Sequence, residues 1–146
     1  MNIVIVGAKD RKSQQERDDV NELMDMLIKH YPGALFITML AWEEGIGRFV
    51  KEKCREQDSE GRFKFKLVEA NVRVYASDLS QSEVSQIYIG RNATLFEIGD
   101  VLYYFASPSR KGTLENLVER MVDGGRPTVV FLPGDQMRLA QLKGND

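Results

Sequence analysis

The sequence predicts a three-layer α/β fold on a mostly parallel sheet of about five strands, and three observations carry that expectation. Apolar runs of strand length alternate with longer stretches of helical period from one end of the chain to the other. The opening run, "NIVIVG", is apolar at consecutive positions, the pattern of a strand covered on both faces, as parallel strands are. A chain of 146 residues that is 42% hydrophobic and 29% charged has the size and composition of one domain, 1–146, with a single sizeable core.

The elements follow in order. After the strand ending at Gly7, residues Gln15 to His30 place Val20, Leu23, Met24, Leu27 and Ile28 three and four apart, the stripe of an amphipathic helix, and "YPG" stops it. "ALFITML", Ala34 to Leu40, reads as the second strand. "EEGIGRFVKEKCREQ" reads as the second helix, with Ile46, Phe49, Val50 and Cys54 on one face and Gly45 and Gly47 near its start. A third apolar segment lies within Phe63 to Tyr75, where alternation allows either one strand or two short ones. Ser80 to Ile98 is helical, with Ser80 or Ser82 as N-cap. "DVLYYFA" is the fourth strand, and "GTLENLVERMVDGG" a helix ended by Gly124 and Gly125. "PTVVFLPG" is the last strand, and beyond Gly134 the tail is polar with a short helical stretch.

Charge and composition argue against several function classes. The net charge is -2, so no basic field spans the chain to drive duplex binding by phosphate neutralisation, and a nucleic-acid partner is not expected. No apolar run approaches the roughly 18 residues of a membrane span, and the N-terminus lacks the basic flank and longer apolar region of a signal peptide. A cytoplasmic protein without a membrane partner is the expectation. The single cysteine, Cys54, forms no internal disulfide, and with one histidine, His30, no zinc constellation can be assembled, so no metal and no resident cofactor is expected.

Open parallel sheets bind ligands beyond the carboxyl ends of their strands, where the strand order reverses. With right-handed crossovers and Rossmann-like order, the first and fourth strands are neighbours at that point. Gly7 and Ala8 end the first, and Ser107 to Gly112 follow the fourth, so both loops are expected to face one crevice. There Gly112 lets a ligand approach the backbone, Thr113 offers a hydroxyl, Lys111 a cation, and the helix start favours an anion. The plainer alternative for Thr113 is an N-cap. Arg91 can hold a phosphate or carboxylate through two bonds, or lie on a helix surface.

"RN" at Arg91 and Asn92, followed by "GDVLYYF", "KGTLENLVERM" and "GGRPTVVF", resembles the C-terminal half of the SLOG superfamily of Rossmann-like nucleotide-binding proteins. That superfamily includes the LOG phosphoribohydrolases, DprA and YspA-type domains, with nucleoside 2-deoxyribosyltransferases more distantly similar. "IVIVGAKDR" is similar to the opening Gly turn of the YspA-type members. The resemblance implies a nucleotide-derived ligand contacted by Gly7, Ala8, Gly45, Arg91, Asn92, Lys111, Gly112 and Thr113. It implies that Asp100 opens the fourth strand, fixing the strand entry instead of touching ligand.

Two departures bear on chemistry. The Gly-rich loop that the superfamily carries after its second strand is here "TMLAWEEGIGRF", with Trp42, Glu43 and Glu44 bringing bulk and negative charge. The Glu that ends the "PGGxGTxxE" pattern of the phosphoribohydrolases falls on Asn116, and an amide exchanges no proton at neutral pH. Glu43, Glu44 and Glu115 are the substitutes within reach. A solvated helix face is the plainer role for Glu115 and Glu119, core for Cys54, a helix end for His30, and a solvated loop for Asp10 to Lys12. The expected function is binding of a nucleotide-like small molecule, as a sensor or sequestering module without strong turnover. The alternatives are an N-glycosidic hydrolase or transferase and a protein-interaction module with a degenerate site. Single-strand DNA binding, as in DprA, is disfavoured by charge. Related folds often pair through their helices, so a homodimer is compatible with the sequence, although no exposed stripe demands one.

Overall fold

The computed structural model describes residues 1–39, 45–57, 66–70 and 80–134. Strands β1 (Asn2–Gly7), β2 (Leu35–Met39), β3 (Lys66–Ala70), β4 (Val101–Phe105) and β5 (Thr128–Phe131) form a five-stranded sheet in the order β3-β2-β1-β4-β5. Every neighbouring pair is parallel. Helices α1 (Gln14–His30), α2 (Ile46–Gln57), α3 (Gln81–Ile98) and α4 (Leu114–Asp123) alternate with the strands. The chain therefore runs outward from β1 to β3, returns through α3, and continues on the far side of β1. The strand order reverses between β1 and β4.

Buried strands explain the unbroken apolar runs. Ile3, Ile5, Phe36, Val101, Tyr103 and Phe105 pack with residues of α1 and α2 on one face, and Val4, Val6, Ile37, Leu102 and Tyr104 pack with residues of α3 and α4 on the other. With period-two alternation along each strand, both sets must be apolar for both faces to be covered. This is the three-layer α/β architecture that the alternating pattern predicts.

Local sequence sets the element ends. Ser13 and Glu16 close a capping box on α1: the Glu16 amide donates to Ser13 Oγ at 3.3 Å and the Ser13 amide to Glu16 Oε1 at 3.4 Å. Lys29 and His30 in its last turn complement the helix dipole. Val20, Leu23, Met24 and Leu27 are buried as their spacing implies, and Ile28 only partly. On α2, Ile46, Phe49, Val50 and Cys54 are buried, and burial pushes the Cys54 thiol up to about 11, leaving it an unreactive core group. Helix α3 begins after Ser80. Of the ambiguous third segment, Lys66–Ala70 forms one strand paired with β2; the rest of that segment, and the tail beyond Gly134, lie outside the described residues.

At the amino edge of the sheet, Asp100 fixes the entry of β4. The Asn2 amide donates to Asp100 Oδ2 at 2.7 Å, the Asp100 amide to the Asn2 carbonyl at 2.8 Å, and Asn2 Nδ2 to the Ile98 carbonyl at 2.7 Å. Gly99 just before it is close-packed, since a Cβ there would stand 2.5 Å from Val4 Cγ2. Asp100 is thus at the opposite end of the strands from the loops that follow Gly7 and Phe105.

Candidate functional site: the carboxyl edge between β1 and β4

Gly7 is paired with Phe105 across β1 and β4, so the loops after these two strands leave the sheet side by side. The Ala8 amide extends the ladder by one bond, donating to the Phe105 carbonyl at 2.9 Å. The start of α2 comes down on the same spot. A Cβ on Gly7 would lie 2.2 Å from Ile46 Cγ1 and 2.8 Å from Ile46 Cβ, a clash with the branched stem of the side chain. Gly7 is therefore required by close packing of α2. Gly45, immediately before that helix, has φ 143°, which suits glycine alone. Glu43, Glu44 and Trp42 lie outside the described residues.

The α3–α4 side brings together another group of sequence-predicted residues. Asn92 is fully buried and joins the two helices: its Nδ2 donates to the Thr113 carbonyl at 2.6 Å, and its Oδ1 accepts from Arg91 Nη2 at 3.1 Å. Arg91, Asn92 and Thr113 thus form one connected unit although 21 residues separate the last two. Thr113 occupies the N-cap position of α4 but has helical dihedrals, φ -69° and ψ -24°, and its side chain makes no capping bond. The N-cap alternative does not describe its hydroxyl. Gly112 before it has φ 117°, and the space where a Cβ would stand is open to 4 Å, as a backbone that a ligand approaches requires. Lys111 is exposed.

Glu115 differs from its sequence expectation. Its side chain is mostly buried and ion-paired with Arg110: Arg110 Nη2 donates to Glu115 Oε2 at 3.1 Å, and Arg110 Nε donates to Oε1. The five-residue separation lets the loop cation fold back over the first turn of the helix. Arg110 takes φ 53°, left-handed for a side-chain-bearing residue. Both carboxylate oxygens of Glu115 are engaged, which leaves it poorly placed to exchange protons with a substrate. Glu119 is exposed as expected. Asn116, at the position of the phosphoribohydrolase carboxylate, accepts a hydrogen bond from Arg120 Nε at 3.0 Å through Oδ1.

Under this helix start lies Tyr104, 1% exposed. Burial first, and then the Glu115 carboxylate, push its phenol up to about 12, with Arg110, Asp10 and Arg11 also acting on it. The hydroxyl is a neutral donor throughout the physiological range.

Arg11 is the residue that charge reasoning placed wrongly. It is 3% exposed, not solvated: Nη1 donates to the Ala106 carbonyl at 2.6 Å and to the Phe131 carbonyl at 2.9 Å, and the guanidinium lies 5.5 Å from the Phe105 ring centroid. Glu16 approaches its Nε at 3.7 Å. Arg11 caps the carbonyls where β4 and β5 end, and its buried charge stands at the carboxyl edge of the sheet. The signal available in sequence was the Arg itself, one turn past a strand-ending glycine and five residues before a Glu.

Among the described residues no group of three or more His, Cys, Asp or Glu could hold a metal ion, and no helix is long and apolar enough to cross a membrane. No protein-family model matches the chain, and no curated protein matches it in sequence. Among solved structures it is similar to the Moco carrier protein from Chlamydomonas reinhardtii, with a TM-score of 0.56 and 14% identity over 98% of this chain and 84% of that one. At that identity the likeness is one of fold: both chains share a Rossmann-like α/β architecture.

Proposed function

We propose that the chain binds a nucleotide-derived small molecule at the carboxyl edge of the sheet between β1 and β4, as a cytoplasmic sensor or sequestering module of SLOG type without strong turnover. The observation that carries the reading is the Asn92 amide holding the Thr113 carbonyl while the Thr113 hydroxyl makes no capping bond. A buried amide directed at one backbone carbonyl fixes where α4 begins, and the helix start with its free hydroxyl is suited to a phosphate or ribose. Gly112 keeps the approach open. The name of the fold neighbour, a Moco carrier protein, is in keeping with carriage of a small molecule, and Moco joins nucleotides as a class to be tested.

The pairing of Glu115 with Arg110 and the amide at Asn116 support binding over cleavage. General acid or base assistance contributes about 10²- to 10⁴-fold, and neither residue is arranged to supply it. Thermal melting with a panel of nucleoside monophosphates tests binding: a ligand at about 100 times its Kd adds about 2.7 kcal/mol, a rise of several degrees for a chain of this size. Chromatography of the same mixtures tests turnover. A shift without release of free base is the expected result. Robust release, lost in Glu43→Gln or Glu44→Gln, would establish an N-glycosidase instead. Absence of any shift would favour a protein-interaction role. Arg91→Ala is expected to weaken the ligand about tenfold or more, the loss of a charge-assisted bond.

A further inference from the structure

We infer that the turn from β1 into α1 is the anion subsite of this edge, with the Arg11 guanidinium as the group that meets the ligand's negative charge. Glu16 is the carboxylate that limits how tightly the anion is held. The inference rests on the proposed binding function and adds to it which loop takes the charged end of the ligand and which residue contacts it.

The observation that carries it is a buried donor without an acceptor. Arg11 is 3% exposed, and both hydrogens of Nη1 are spent on the Ala106 and Phe131 carbonyls, at 2.6 and 2.9 Å. Its Nε is shut off from solvent and donates to none of the described residues. Glu16 Oε1 stands 3.7 Å from it, beyond hydrogen-bond reach. That oxygen is held off by its other duty, since it accepts the Ser13 amide at 3.4 Å in the capping box. Clamping the ends of β4 and β5 needs only Nη1. A buried N–H left open costs the folded chain a hydrogen bond, and native structures keep such donors where water, an ion or a ligand completes them. The Nε side of a guanidinium carries parallel N–H bonds on Nε and Nη2, the fork that a phosphate or carboxylate grips with two oxygens.

The first turn of α1 supplies further donors. Of the amides that a helix start leaves open, that of Glu16 is met by Ser13 Oγ and that of Arg17 by the Ser13 carbonyl. The Gln14 and Gln15 amides have no such partner among the described residues, and both residues are exposed, so the turn is open to an oxyanion. Local charge agrees with this: Lys9, Arg11 and Lys12 against Asp10 and Glu16 make the stretch net positive in a chain whose net charge is -2. The turn leaves the sheet at Gly7, beside the Phe105 end of β4, where the strand order reverses. An anionic oxygen on Nε meets the Glu16 carboxylate as a like charge, so Glu16 lowers its affinity.

The test is titration of inorganic phosphate, 5'-AMP and adenosine into the full chain and into its Glu16→Gln and Arg11→Lys variants, read by calorimetry and by the Arg11 Nε–H resonance. Gln at position 16 preserves the capping box, so that variant keeps its helix start while losing the charge. Lys at position 11 keeps a cation for the Ala106 and Phe131 carbonyls and loses the Nε donor. Thermal melts confirm folding of both. Phosphate and 5'-AMP are expected to move the wild-type Arg11 Nε–H resonance and slow its exchange with water. Glu16→Gln is expected to bind both about fivefold more tightly and Arg11→Lys about tenfold more weakly, with adenosine affinity the same in all three proteins. If 5'-AMP binds the wild type with the resonance unmoved and Glu16→Gln binds it no better, the subsite is wrong while the nucleotide reading stands. If phosphate moves the resonance and binds Glu16→Gln more tightly, but 5'-AMP binds no better than phosphate, the subsite stands and the nucleotide reading falls. Absence of binding of phosphate and 5'-AMP to both the wild type and Glu16→Gln overturns the subsite.

Discussion

Asn92 shows how one side chain can position a site made by distant segments. Both polar ends of its amide are engaged in a fully buried setting, so truncation leaves the Thr113 carbonyl without its partner. Asn92→Ala is expected to cost about 1–3 kcal/mol, several degrees in melting temperature, and to speed amide exchange in the first turn of α4. Unchanged exchange at Glu115 and Asn116 would show that the helix start does not depend on the tether. Gly7 makes a second residue-scale prediction. Ala there must displace Ile46, so Gly7→Ala should destabilise the fold by about 1–3 kcal/mol, measured by denaturant unfolding, and disturb α2 more than α4. The sequence marked Gly7 and Thr113 as types that end a strand and begin a helix, and Asn92 only through the resemblance of its Arg-Asn pair to a superfamily element; that its amide would hold the Thr113 carbonyl was not legible. It could not show that Ile46 would land on Gly7, nor that Arg11 would be buried. Both depend on which segments meet across the sheet edge, and no local pattern encodes that.

At the scale of elements, the packing of α1 on α2 rests on an apolar seam with a charged rim. Arg17 lies 4.6 Å from the Phe49 ring centroid and pairs with Glu52, which also accepts from Arg48 Nε at 3.0 Å. Lys53, nearly buried, reaches Asp25 on α1 at 2.8 Å. Burial alone would raise the Glu52 carboxyl, but the bonds from Arg17 and Arg48 outweigh it and hold the group below its ordinary value of 4.5. A carboxyl depressed in the folded chain contributes stability that is present above its unfolded value and fades as pH falls through the folded one. Glu52→Gln should therefore lower the melting temperature slightly at pH 7 and by less at pH 3. An equal difference at both pH values would show that the carboxylate charge is irrelevant there. The helical faces of α1 and α2 were legible because a 3.6-residue period sorts apolar from polar positions. Lys53 broke that rule, since its aliphatic stem is buried while its ammonium finds Asp25. The capping box of α1 was equally available, spelled by Ser13-Gln14-Gln15-Glu16 just ahead of the apolar stripe.

For the whole molecule, the handedness of parallel crossovers made the sequence informative beyond its elements. Strands alternating with helices leave few ways to wind the chain, and the common one sets the first and fourth strands side by side. The observed pairing of Gly7 with Phe105 is that arrangement. The charge balance was less informative, because a net charge of -2 says nothing of where Arg11 and Arg110 stand relative to the edge. The central claim is that ligand binds at the carboxyl edge where the strand order reverses, and amide chemical-shift mapping with 5'-AMP tests it most directly. Shifts concentrated at Gly7 to Arg11, Gly45 and Lys111 to Asn116, with the Asn2 and Asp100 amides unmoved, are predicted. Shifts centred on Asn2 and Asp100 at the opposite edge, or no shift at saturating nucleotide, would contradict it.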